Sequence, residues 1–210
     1  VKAAVFKSVK RTICLMQAGD FQGVTDTWIS SSRPEENLYF SDALEIGGEG
    51  SGTALVKFDE IALAAGAEVR EAIVTLVMAD KDAAKAGIVH AYRMLTDCDF
   101  ESVTWEYADA ANRIRWGNDT QASPKAGVDY DATEAGQADS SVIMAGDTMR
   151  IDVTQAARYW QEHPDGNFGL LLAADEGKGA GSFYSSKSPN VSRRPRLYVT
   201  YAYRVKVAGD

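Results

Sequence analysis

Short apolar segments with period-two alternation, cut apart by Gly, Asn, Asp and Ser clusters, recur along this chain and point to a β-sandwich or barrel. In Thr53–Phe58, Ala54, Val56 and Phe58 fall on one face and Leu55 and Lys57 on the other. Arg196–Val207 alternates in the same way and reads as a long closing strand. Successive side chains of a pleated strand point to opposite faces, so each such segment buries one face and offers the other. Further strands are expected within 1–16, from Trp28, and at 43–46, 68–79, 88–95, 103–107, 148–153, 167–174 and 182–185. One helical piece interrupts them near 154–162, with Thr154 as its N-cap, Pro164 as its stop, and Val153, Ala157 and Trp160 on its inner face. The expected fold is an all-β, two-sheet antiparallel β-sandwich (a jelly roll) of about ten to twelve strands, in a single domain over 1–210.

Composition narrows the function classes. Against 22 Lys and Arg stand 30 Asp and Glu, a net charge of −8 with no basic block, which argues against nucleic-acid binding. No apolar run approaches the ~20 residues of a membrane-spanning helix. Four Trp, nine Tyr and seven Phe spread along the chain supply a large core. Cys14 and Cys98 are too few for a zinc site and show no ligand spacing with His90 or His163. They read as small buried hydrophobes or as one disulfide. Gly47 to Gly52 lacks the Lys-Ser/Thr and helix of a phosphate loop and reads as a turn. No Gly-x-Ser-x-Gly elbow is present, and no carboxylate pair stands out among the acids, so no catalytic residue is assigned and a non-enzyme is expected. Asn118 and Asn190 head glycosylation sequons of the frequency chance allows.

The polar, acidic stretch 108–140 has no strong periodicity and reads as an elaborated loop, the usual carrier of function. Glycan recognition needs an aromatic platform or, for acidic polymers, clustered cations making charge-assisted bonds. Arg113, Arg115, Trp116, Lys125 and Tyr130 are the candidate ligand-binding residues in that loop, and Lys187, Arg193 and Arg194 form a second basic patch. Trp28, Trp105 and Trp160 are expected in the core. Calcium takes six to eight oxygens from carboxylates and loop carbonyls. Asp129, Asp131 and Asp139 form one candidate set for structural calcium, and Asp20 and Asp26 near Glu35 another.

An ordered set of segments carries a family resemblance. It includes 21–29 with Trp28, 54–59, 66–72, 103–105 with Trp105, 151–154 followed by Trp160, 167–172, and Ser185 and Ser186 leading to 194–201. Together these resemble the DNRLRE-type jelly-roll family of secreted domains, whose members include carbohydrate-binding modules. The resemblance covers 12–203, with 1–11 as an N-terminal strand extension and 204–210 as a C-terminal end; Cys98 stands where the family would place an aromatic residue. It implies a non-catalytic, extracellular or cell-surface polysaccharide-binding module, with acidic glycans as candidate ligands. The missing initiator Met at Val1 leads to the expectation of a removed leader or an excised domain. The alternative is a structural subunit of an extracellular filament or surface assembly, its own copies joined by β-strand addition through Val5, Phe6 and Val9.

Overall fold

A computed structural model describes residues 5–19, 22–47, 52–59, 61–80, 87–175 and 178–207. Its strands are β1 (Val5–Met16), β2 (Val24–Ile29), β3 (Ala43–Gly47), β4 (Thr53–Phe58), β5 (Glu68–Asp80), β6 (Ile88–Arg93), β7 (Tyr107–Asp109), β8 (Ile114–Arg115), β9 (Gly136–Asp139), β10 (Thr148–Asp152), β11 (Leu170–Ala174), β12 (Gly179–Tyr184) and β13 (Arg196–Val207). A four-residue turn of helix, α1 (Trp116–Asp119), follows β8, and α2 (Thr154–Glu162) follows β10. One antiparallel sheet runs β1-β13-β5-β12-β3 with β10 also on β5; the second runs β2-β4-β11-β6-β9. The expected two-sheet antiparallel β-sandwich is therefore present, and its helix lies at the expected place. The turn expected at 47–52 falls largely on residues outside those described.

The first core lies between the sheets, where Val74, Leu76 and Leu197 of one meet Val56, Phe58, Leu170 and Leu172 of the other, with Trp28 and Trp160 at its margins. A second core lies on the outer face of the five-stranded sheet. There Ile29, Leu55, Leu171 and Met94 pack against Phe100 and Val103 from the segment before β7 and against Ala108 and Trp116 from the aperiodic stretch. That second layer explains why β11 reads as three consecutive leucines. Leu170 and Leu172 face inward, Leu171 faces outward, and both faces are buried. β9 and β10 of the two sheets approach tightly at Gly136, where an added Cβ would lie 1.8 Å from the Asp152 carbonyl oxygen, so the position admits no side chain.

Two local expectations are corrected. The N-cap of α2 is Val153, not Thr154. The Asp152 carboxylate accepts from the Thr154 amide at 2.9 Å, while Thr154 Oγ1 accepts from the Ala72 amide and ties the helix start to β5. Residues 103–106 join no ladder: the Val103 amide turns back onto the Asp99 carbonyl at 2.7 Å, and Trp105 packs half-buried on the second core.

Candidate functional site

Of the loop residues selected as a glycan platform, Trp116 builds the second core instead, with Tyr130 packed against it. Trp116 is completely buried, and its indole N–H donates to the Thr104 carbonyl at 3.3 Å. A ring without exposed surface cannot stack on a sugar, so Trp116 is removed from the candidate ligand-binding set. Arg115 lies over the Tyr107 ring at 4.7 Å, donates to the Tyr107 hydroxyl and pairs with Glu106 at 3.4 Å. Arg113 is exposed at a positive φ of 61°, on the turn between β7 and β8. Lys125 is exposed, but its amide is held by Asp129. Tyr130 lies half-buried against Tyr92, ring centroids 5.2 Å apart, and burial followed by the nearby Asp129 charge raises its pKa. The second basic patch is engaged too. Arg194 donates to the Ser188 and Gln17 carbonyls, Arg193 covers Tyr184, and Lys187 pairs with the buried Asp26.

The acidic residues assigned to calcium also have other partners. Asp129 is fully buried and accepts from the Gly117 amide at 2.7 Å and the Lys125 amide at 3.0 Å, while Leu95 donates to its carbonyl. It thereby fastens α1 and the end of the loop to the chain leaving β6. Asp131 pairs with Arg93 at 2.9 Å, and Asp139 caps a single helical turn through the Ser141 amide. Asp26 is buried under Ser186 and Lys187, Glu35 is exposed, and Asp20 lies outside the described residues. Among the described residues, no group of three or more acidic, His or Cys side chains is arranged to hold a metal ion. The set Asp129, Asp131 and Asp139 is not brought together, because Asp129 turns onto the Gly117 and Lys125 amides, Asp131 onto Arg93 and Asp139 onto the Ser141 amide.

Cys14 and Cys98 are both free, Cys14 exposed on β1 and Cys98 buried in the second core. Burial first, then the Asp97 carboxylate, pushes the Cys98 thiol far above its usual range, so it stays protonated and inert. His163 donates Nδ1–H to the Tyr159 carbonyl at the end of α2, a structural role.

His90, on the outer face of β6, bridges two carboxylates that sequence reading did not single out. Its Nδ1 meets Glu134 and its Nε2 meets Asp175 at 2.8 Å. Burial lowers the imidazole pKa, but the two hydrogen bonds and the two charges outweigh it, and the net shift is upward. A raised pKa stabilises the fold fully below the unfolded value of ~6.5 and loses that contribution as pH rises through the folded value. His90→Gln is therefore expected to lower the melting temperature clearly near pH ~5.5 and less near pH ~9. A pH-independent difference between variant and wild type would contradict this.

The least satisfied geometry lies where β1 and β13 leave the sandwich. They pair along their whole length, from Val5 opposite Val207 to Met16 opposite Arg196. β13 pairs with β5 only from Arg196 opposite Thr75 to Ala202 opposite Glu68. β5 begins there because the preceding turn, closed by the Ala67 amide on the Ala64 carbonyl, reverses the chain through Gly66 at φ 68°. Residues 5–9 and 203–207 thus continue as a two-stranded ribbon beyond the sheet. The β5 ladder is bulged just before β13 leaves it, Thr200 lying opposite Glu71 and Tyr201 opposite Val69, with Arg70 the extra residue on β5.

Opposed residues of an antiparallel pair share a face. The face carrying Leu197 and Val199, both fully buried, therefore continues along β13 through Tyr201 to Tyr203, Val205 and Val207, with Arg11, Val9 and Lys7 of β1 opposite Tyr201, Tyr203 and Val205. Tyr203 stacks on Tyr201, and Val207 is 40% exposed. The opposite face carries Phe6, 57% exposed. Among the described residues, β1 has no neighbouring strand besides β13. The assembly residues are thereby relocated: β1 is an edge strand of its own sheet, and the side chain of Val5 lies outside the described residues. Donating β1 to a neighbour would break twelve registered pairs, whereas adding a strand beside it breaks none.

No protein-family model and no curated protein sequence matches this chain.

Proposed function

We propose that this chain is a structural subunit of an extracellular filament or surface assembly, joined through the β1–β13 ribbon. The observation that carries this reading is the apolar row of β13 side chains that runs past the core through Tyr203, Val205 and Val207, with Val9 and Lys7 of β1 beside it on the same face. A two-stranded ribbon alone is marginally stable in water, and covering one face supplies what it lacks. An uncovered strand edge is also a ready template for a second chain. The polysaccharide-binding reading keeps its support from the ordered family-like segments, but its aromatic platform is buried.

Sedimentation velocity of the full chain across concentration tests the assembly reading. Self-association is expected, and Val205→Asn with Val207→Asn should weaken it about tenfold or more while the thermal transition of the sandwich stays in place. A concentration-independent monomer, or assembly indifferent to those two substitutions, would overturn it.

A further inference from the structure

We infer that the surface receiving the ribbon is the opposite end of a second copy of this chain, so that subunits join head to tail. The inference rests on the assembly reading and adds the identity of the partner surface.

Charge is the first argument. Residues 5–11 and 203–207 hold five basic side chains (Lys7, Lys10, Arg11, Arg204 and Lys206) and no acidic one. The rest of the chain keeps 17 basic against 30 acidic residues. A basic arm on an acidic body is complementary to another copy's body and repelled by another copy's arm. Ribbon-to-ribbon pairing would place those like charges together, whereas ribbon-to-body contact offsets them.

The second argument is the surface at the far end of the strands. There the exposed Asp80 closes β5 and Asp139 closes β9 opposite Ile88, while the Asp175 amide donates to the Ile88 carbonyl. Asp147 accepts the Met78 amide through its carbonyl, on the neighbouring edge of β5. Between Asp139 and Asp147 the chain exposes two large apolar side chains, Val142 at 76% and Met144 at 64%. Lys178, exposed, lies at this end too, its amide donating to the Asp175 carbonyl. An apolar patch bordered by carboxylates faces one way, and an apolar stripe bordered by lysines and arginines faces the other. Because the two surfaces differ and lie at opposite ends, their union is heterologous and leaves a binding end open at each step. That is the geometry of a filament or a ring.

A charge-swap experiment tests this in the full chain. Lys7→Glu with Lys206→Glu makes a ribbon-reversed variant, and Asp80→Lys with Asp175→Lys makes an end-reversed variant. Each alone is expected to stay monomeric under conditions where the wild type associates. Their equimolar mixture is expected to associate again, because each variant's ribbon then meets the other's complementary end. Association of the wild type should weaken at least tenfold as salt rises from ~0.1 M to ~1 M, where the Debye length falls from ~10 Å to ~3 Å. Circular dichroism and the melting temperature of each variant check that the sandwich is intact. If a variant does not fold, zero-length carbodiimide coupling of the wild type gives a second readout, with Lys7 or Lys206 expected to be joined to Asp139 or Asp147 of another copy. Wild-type association without rescue in the mixture overturns the head-to-tail contact and leaves the assembly reading standing. A wild type that never associates overturns both.

Discussion

Trp116→Ala is expected to destabilise the protein by about 4 kcal/mol, within the range for truncating a large aromatic in a core that cannot collapse to fill the space. The indole is fully buried, and its N–H holds the Thr104 carbonyl at 3.3 Å. Its neighbours Met94, Phe100, Val103 and Leu171 are fixed by the five-stranded sheet on one side and by loop hydrogen bonds on the other. Gly117, next in the chain, is in turn tied by its amide to the buried Asp129. Loss of the ring should loosen the covering segment before the inter-sheet core. Limited trypsin digestion would therefore cut first after Arg113, Arg115 or Lys125, at a denaturant concentration where the wild type resists. Trp116→Phe, which keeps most of the volume, should lose less than half as much stability. An unchanged denaturation midpoint for Trp116→Ala would contradict burial. Because the substitution unravels the covering segment, a loss of glycan binding in that variant would not by itself identify a sugar contact.

Asp26→Ala has the second-largest expected effect, about 3 kcal/mol. The carboxylate, with no exposed surface, accepts from the Ser186 amide at 2.6 Å, the Ser186 hydroxyl at 2.8 Å and the Lys187 ammonium at 3.0 Å. Removing it strands a buried amide and leaves the ammonium with only the Asp26 carbonyl and the face of Tyr39, 3.9 Å away. The cost lies at the lower end for breaking a buried pair, because Lys187 keeps 22% of its side-chain surface in water. Lys187→Met in the Asp26→Ala background should recover part of the loss, since it removes the unpaired charge. Additive losses in the double-mutant cycle would show that the pair does not act as a unit. The contact fastens β2 of one sheet to the segment following β12 of the other, 160 residues apart in the chain, so its loss should speed unfolding of the whole sandwich.

How far the sequence could be read depended on whether a residue's surroundings come from its own segment. In Thr53–Phe58 the alternation correctly divides Ala54, Val56 and Phe58 from Leu55, because strand geometry alone sends them to opposite faces. The span of β13 and the position of α2 were legible for the same reason. The stretch 108–140 was not, because its contacts are long-range. Nothing in its own pattern shows that Trp116 packs on Leu55 and Leu171, although the alternation of β4 and the leucine run of β11 left outward apolar faces that something had to cover. The functional aromatic was sought in the loop because loops carry function; here the loop is also the roof of a core. Glu134 and Asp175 escaped notice as partners of His90 because they come from separate, distant segments of the chain.

By itself, the sequence determined that this chain alternates into strands, gathers them into two sheets and carries more acid than base, since periodicity and charge are local properties. It also placed three cations (Lys7, Arg204 and Lys206) and no acid in the two segments that form the ribbon. Only the tertiary structure decided that those segments are paired neighbours and that they outrun β5. The alternation of β13 does not change where its neighbour stops; the end of β5 is set by a turn at Gly66, in another part of the chain. A strand's pattern says which face is apolar, and only its neighbours say whether that face is covered.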